Sequence, residues 1–182
     1  MPVLLTESRS VIYSFAGKIW LRIAAYAVLH DQYIVRIDPE HFTAYHKPIW
    51  TIESPAVLAA VHAFLASIGP GFLLGIACAV AGWMGSRPRI SDHYVMRGVL
   101  VVIAGAEIAA LLSGWWVFAT GNSFYPSFIF PEEKLSLVIT QTIQVTCYFA
   151  SALFSIALVC AILWKRKKMG DLLSSGHLSH RD

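Results

Sequence analysis

The chain has few charged residues and lacks the motifs of most soluble enzymes. Only 14% of its 182 residues are Asp, Glu, Lys or Arg, whereas soluble domains contain about 25%. No glycine-rich phosphate loop, dinucleotide fingerprint or Ser/His/Asp set is recognisable. The net charge of +3 comes from basic residues near the ends of apolar segments and forms no basic stripe, so we expect no nucleic-acid partner.

Cysteine is also scarce and has no ligand spacing. Cys78, Cys147 and Cys160 all lie inside apolar runs and form no C-x-x-C pair, which indicates packing rather than metal binding or disulfides. The first apolar stretch contains Lys18 and Arg22 and lacks an obvious small-residue cleavage site, so we expect no cleavable signal peptide.

Hydrophobic residues, by contrast, make up 57% of the chain and occur in long runs. A run of about 20 apolar residues matches the hydrocarbon core of a bilayer at about 1.5 Å rise per residue. The sequence therefore predicts an all-α membrane protein with one domain over residues 1–168 and a polar cytoplasmic tail over 169–182. The predicted transmembrane helices cover about 11–30, 55–85, 97–119 and 135–164.

The first of these segments and the loop after it are less regular. Lys18 and Arg22 favour a helix lying in the membrane interface, but the other residues are apolar all round and favour a spanning helix. Residues 30–54 are polar and would lie outside the membrane. Residues 33–37 and 42–45 have strand-like composition around an Asp38-Pro39 turn, which predicts a small hairpin.

Proline and glycine interrupt the second apolar segment. Gly69, Pro70 and Gly71 lie in its middle, where proline removes a backbone hydrogen bond, so we expect a kink or a broken helix. Gly71 and Gly75 form a small-xxx-small pattern that allows a neighbouring helix to approach closely.

Basic residues in the loops predict the orientation. One side carries eight of them and the other side three, and Lys and Arg are enriched in cytoplasmic loops. The eight are Arg9, Arg87, Arg89, Arg97, Lys165, Arg166, Lys167 and Lys168, and the three are Arg36, Lys47 and Lys134. Four spans then place both termini in the cytoplasm.

Polar side chains inside the apolar segments are the first candidate site. At 1.5 Å per residue, several of them reach similar depths near the midplane. We predict an ion pair between Arg22 and Glu107, with further polar groups around it. The layer either fixes the packing of the helices or forms a proton or substrate path. Its members are Arg22, His62, Glu107, Gln141 and Gln144.

The loop after the first helix contains a second, acidic and histidine-rich cluster. Imidazole and carboxylate groups bind zinc well, but the spacing matches no standard metal motif, so a hydrogen-bonded loop cap is the main alternative. Haem would need two histidines at equal depth, and His30 and His62 match poorly. We therefore predict no cofactor. The cluster consists of Asp38, Glu40, His41 and His46.

Residues 39–50 read PEHFTAYHKPIW and are followed by ESPAVLA and a helix with GPGFLLG. This pattern resembles an uncharacterised family of small bacterial integral membrane proteins with a PE-x-F-T-x-x-H-x-P loop between helices 1 and 2. The resemblance implies four spans and a bacterial inner membrane, and it implies no activity.

Three functions remain open at this stage. The first is a structural or accessory subunit that packs against itself or a larger membrane complex. The second is an oligomeric transporter or channel component that uses the Glu107 layer and the break at Gly69–Gly71. The third is a membrane enzyme with an outer-face site of histidines and carboxylates.

Overall fold

The fold is described by a computed structural model that covers residues 9–44, 46, 49, 51–126 and 134–178. The described residues form five helices and no strand. The helices are α1 (Arg9–Ile37), α2 (Glu40–Thr43), α3 (Pro55–Trp83), α4 (Asp92–Thr120) and α5 (Leu135–Leu178).

The four long helices are each long and apolar enough to cross a membrane. The prediction of a bundle of four transmembrane helices is confirmed, and the protein is a multi-pass membrane protein. Because helix ends leave backbone groups unpaired, each end needs a cap. Ser91 accepts a hydrogen bond from the Tyr94 amide at the start of α4, and Gly121, with φ 71°, ends that helix.

The predicted small hairpin is wrong. Residues 33–37 continue α1, and Glu40–Thr43 forms the short helix α2. Ile34, Val35 and Phe42 are buried in one apolar cluster, so tertiary packing overrides the strand-like composition. Pro39 precedes α2, and helices usually end at or before the residue preceding a proline. Tyr45 of the predicted second strand lies outside the described residues.

The structure differs from the prediction at two boundaries near the C-terminus, the end of the last helix and the start of the polar tail. The last helix was expected to end near residue 164, but α5 continues through the basic cluster 165–168 to Leu178. Most of the predicted tail is therefore helical, and residues 179–182 lie outside the described residues.

Of the kink or break predicted at Gly69, Pro70 and Gly71, the break is wrong, since α3 is one continuous helix with Pro70 inside it, and the kink stays a prediction. Membrane helices tolerate proline where neighbouring helices support the backbone. Here the Trp20 ring contacts both Phe64 and Phe72, with ring centroids 5.3 Å apart in each pair. One side chain of α1 thus supports α3 on both sides of the proline.

The bundle consists of two helix pairs, α1 with α3 and α4 with α5. Glycine permits the close approach within each pair. A Cβ atom on Gly75 would lie 2.5 Å from the Ala16 backbone, and one on Gly98 would clash with the Leu158 side chain. The small-xxx-small pattern of Gly71 and Gly75 therefore faces α1, where it allows the predicted close packing.

At the end of the bundle that contains Arg9, one arginine ties α5 to the α3–α4 connection. The Arg166 guanidinium is 4% exposed and donates hydrogen bonds of 2.8–2.9 Å to four backbone carbonyls. Arginine suits this position because its planar fork presents five donors. The accepting carbonyls belong to Ala81, Met84, Arg87 and Pro88.

Candidate functional site

The carboxyl group of Glu107 is the centre of a hydrogen-bonded cluster between α1 and α4. Tyr26 donates its hydroxyl to Glu107 Oε2 at 2.7 Å, and His30 Nδ1 lies 2.8 Å from the same oxygen. Tyr33 Oη is 3.0 Å from His30 Nδ1. Tyr26, His30 and Tyr33 are spaced at i, i+4 and i+7, which places them on one face of α1. The cluster therefore connects the two helix pairs.

The predicted Arg22–Glu107 ion pair is wrong. Arg22 is exposed on the bundle surface, and its Nη1 donates to the backbone carbonyl of Lys18 at 2.8 Å. A long basic side chain can reach along its own helix in this way and keep its charge away from the apolar core. Glu107 is paired instead with His30, about two turns further along α1.

Beside the Glu107 cluster, the helix pairs leave a cavity of about 630 Å³. Small-molecule sites in proteins occupy about 300–1,000 Å³. The walls come from all four long helices and are mostly apolar. Leu73 and Ile156 line the cavity and are 70% and 62% exposed, so it reaches the outer surface of the bundle between α3 and α5.

Two polar residues with unused hydrogen-bonding capacity, His30 and Asp31, lie in the wall of this cavity. Each is only 5% exposed. The Asp31 carboxyl makes no hydrogen bond or ion pair with any residue that the structure describes. His30 Nε2 is likewise buried with no hydrogen-bond partner in the described part of the chain. Because unpaired polar groups are costly in apolar surroundings, the cavity has the character of a binding site.

A second polar cluster lies at the opposite end of the bundle from Arg166, where α2 packs against α5. His41 Nε2 bonds Gln144 Oε1, and His41 Nδ1 lies 3.1 Å from Thr140 Oγ1. Gln144 Nε2 in turn donates to Tyr148 Oη at 2.8 Å. Burial of the ring lowers the pKa of His41 to about 4, which keeps it neutral at pH 7.

The carboxyl groups near His41 form ion pairs with a lysine and are therefore not free to bind a metal. Lys134 Nζ lies 2.9 Å from Asp38 and 3.0 Å from Glu40. Burial opposes ionisation of Asp38, but hydrogen bonds from Ser136, Lys134 and the Glu40 amide together hold its pKa below the usual value. Hydrogen bonds to both carboxylates raise the pKa of Lys134. This ion-pair cluster attaches the end of α1 to the start of α5.

The geometry gives zinc binding little support. Both ring nitrogens of His41 already have protein partners, and Lys134 occupies the carboxylates. His46 Nδ1 donates to the His41 carbonyl at 2.8 Å, and the His46 ring packs against His62 with centroids 4.7 Å apart. Within the described ranges, no group of three or more His, Cys, Asp or Glu side chains is placed to hold a metal.

The residues of the predicted midplane layer therefore do not form one cluster. Glu107 joins His30, Gln144 joins His41 and His62 packs beside His46. Gln141 Oε1 is buried with no hydrogen-bond partner among the described residues. Asp31 was not predicted as a cavity residue, because residues 30–54 were expected to lie outside the membrane. The signal was present in the i, i+4, i+7 spacing of Tyr26, His30 and Tyr33, which predicts a helix that continues past His30.

No protein-family model matches the chain, and no curated protein and no solved structure is significantly similar to it. Function is therefore inferred from the cavity and the two polar clusters. The resemblance to a bacterial family with a PE-x-F-T-x-x-H-x-P loop stays a prediction.

Proposed function

We propose that the protein is a small accessory membrane subunit that holds a lipid-soluble molecule inside its helix bundle. The observation that carries this proposal is the Asp31 carboxyl, which lines an apolar cavity and has no polar partner among the described residues. An ionisable group inside the membrane is costly and usually marks a functional site. A bound molecule with a complementary polar group would reduce that cost.

The position of the cavity supports entry from the lipid phase. Its opening lies between α3 and α5, where Leu73 and Ile156 are exposed on the bundle surface. In a membrane this surface faces acyl chains, so a lipid-soluble molecule would enter without crossing water. The polar wall formed by His30 and Asp31 would then orient its head group.

The accessory role is supported by the small amount of chain outside the helices. The α3–α4 connection covers only the residues between Trp83 and Asp92, and α2 is a short cap. We propose the lipid bilayer and other membrane subunits, or further copies of this chain, as partners, and we propose no nucleic-acid partner.

The alternative functions have weaker support. A transporter or channel component would use the cavity and the Glu107 cluster, but α3 has no break at Pro70 to form a discontinuous-helix site. An enzyme with an outer-face site would use Asp38, Glu40 or His41, which are instead bonded to Lys134, Thr140 and Gln144.

We propose the bacterial inner membrane as the location, with both termini in the cytoplasm. The eight-to-three distribution of loop Lys and Arg residues supports this orientation. It places the Arg166 end of the bundle in the cytoplasm and the cap that contains His41 and Lys134 on the outer side.

The experiment compares ligand binding to two tryptophan variants of the protein in lipid nanodiscs. Ala66 lines the cavity, whereas Ala104 is exposed on α4 and does not line it. We expect dodecylamine or dodecanol to bind wild type and Ala104→Trp, and Ala66→Trp to weaken binding about tenfold or more by filling the cavity. Native mass spectrometry measures the bound fraction.

The proposed binding function is wrong if neither probe binds wild type, or if Ala66→Trp binds as tightly as Ala104→Trp. Native mass spectrometry of a second sample, the protein extracted gently from its own membrane, tests the accessory role. Co-purifying subunits or further copies of the chain support it, and a lone monomer contradicts it.

A further inference from the structure

We infer that the molecule held in the cavity carries a protonated amine as its polar head, an inference that rests on the proposed binding function. The recognition element is the Asp31 carboxylate, which lies in the wall of the cavity. The amine would lie against this carboxylate, and its apolar chain would extend toward the opening between α3 and α5.

The hydrogen-bond geometry of His30 makes its free nitrogen an acceptor. His30 Nδ1 lies 2.8 Å from Glu107 Oε2, and Tyr26 already donates to the same oxygen. Since an ionised carboxylate only accepts hydrogen bonds, Nδ1 carries the hydrogen. A neutral ring then leaves a lone pair on the buried Nε2, so His30 adds neither an N–H donor nor a positive charge to the cavity wall.

Asp31 is the acceptor in the cavity wall. Its carboxylate offers only lone pairs, and no described residue donates to it. Two carboxylate oxygens without a donor favour a ligand that donates at least two hydrogen bonds. A primary ammonium group has three N–H donors, whereas a hydroxyl group has one.

The charge of the site favours a cation. Asp31 lines the cavity and the Glu107 carboxylate binds its neighbour His30, while no Lys or Arg is among the described residues that line the cavity. In surroundings of low dielectric, an unpaired carboxylate strongly prefers a positive partner. An acyl carboxylate would meet like charge at Asp31, so the site disfavours fatty acids.

The test uses four probes that share a dodecyl chain and differ in the head group. Dodecylamine carries charge and donors, dodecyltrimethylammonium carries charge only, dodecanol carries one neutral donor, and dodecanoate is an anion. Their dissociation constants are measured on wild-type protein in zwitterionic nanodiscs at pH 7. We expect dodecylamine to bind tightest, by about tenfold or more over the other three, because charged hydrogen bonds are the strong ones.

A variant pair assigns the effect to Asp31. Asp31→Asn should weaken dodecylamine about tenfold and leave dodecanol unchanged, because an amide keeps the shape of the side chain and loses its charge. Asp92→Asn is the matched control, since Asp92 lies near the other end of the bundle, is partly exposed and pairs with Arg89. It should change neither constant.

The outcomes separate the two proposals. If no probe enters the cavity, the proposed binding function fails. If dodecanol or dodecanoate binds wild type as tightly as dodecylamine, the cavity still binds lipid-soluble molecules, but the amine inference is overturned. The comparison of the four probes on wild type decides the amine inference even where Asp31→Asn does not fold. If Asp31→Asn weakens the binding of all four probes equally, the amine inference is also overturned.

Discussion

The two polar clusters of this protein differ in whether their groups are paired. In the cap, His41 uses both ring nitrogens, and Asp38 accepts hydrogen bonds from Ser136, Lys134 and a backbone amide. Near the cavity, the Asp31 carboxyl and His30 Nε2 have no partner among the described residues, although His30 and Asp31 are each only 5% exposed. A fully paired cluster stabilises the fold, whereas an incompletely paired one is where a ligand can add interactions.

The largest expected effect comes from breaking the paired cluster. His41→Leu leaves Gln144 Oε1 without its partner, removes one of the two hydrogen bonds of Thr140 Oγ1 and changes the packing around α2. We expect it to lower the free energy of unfolding by about 4 kcal/mol, since each buried group left unpaired costs about 1–3 kcal/mol. Unfolding in mixed micelles measures it. A loss below about 1 kcal/mol would show that these hydrogen bonds do not support the fold.

A smaller effect is expected from pH, through the same histidine. The folded-state pKa of His41 is about 4 and the ordinary value is 6.5, so the unfolded state binds more protons. The contribution of His41 to stability is therefore fully present above pH 6.5 and is lost as the pH falls toward 4, by on the order of 3 kcal/mol.

Unfolding curves across this range check the prediction in wild type, in His41→Gln and in the exposed-site control His93→Gln. His41→Gln should flatten the pH dependence and His93→Gln should not. Asp38 does not interfere, because its pKa lies below 3.8 and its own contribution is lost only at lower pH. An unchanged slope in His41→Gln would contradict the prediction.

The smallest effect has the opposite sign and concerns the unpaired cluster. Asp31→Leu removes a buried carboxyl without breaking any hydrogen bond to a described residue, and the cavity has room for the new side chain. We expect the ligand-free protein to gain about 1–2 kcal/mol in the free energy of unfolding, because an apolar group replaces an unsatisfied polar one. Destabilisation similar to that of His41→Leu would mean that Asp31 belongs to the fold.

The sequence predicted the number of spans well because a long apolar run determines a transmembrane helix almost alone. It also identified Glu107 as a polar centre of the bundle, since a carboxyl inside such a run must find a partner. The choice of partner depends on helix rotation, which hydropathy does not contain. It also depends on the level of each residue along the helix: Arg22 lies about two turns before His30 and is exposed, and His30 reaches Glu107 on α4.

Two other errors share a physical cause. The strand-like residues 33–37 and the proline at position 70 were judged by local preference, and neighbouring helices override that preference in both places. Ile34 and Val35 pack into the core as part of α1, and Trp20 supports α3 on both sides of Pro70. The cavity could not be predicted for a related reason, since it is space left between two helix pairs and is encoded in no single segment.

The arginine at position 166 bears on how the protein is made. Its guanidinium satisfies carbonyls that lie 78 to 85 positions earlier in the chain. During synthesis, the turn after the second span must therefore remain incompletely capped until the last span has left the ribosome and inserted. The final helix completes a turn begun much earlier, so premature termination before this arginine yields a chain whose defect lies in the turn after Trp83 as well as at its end.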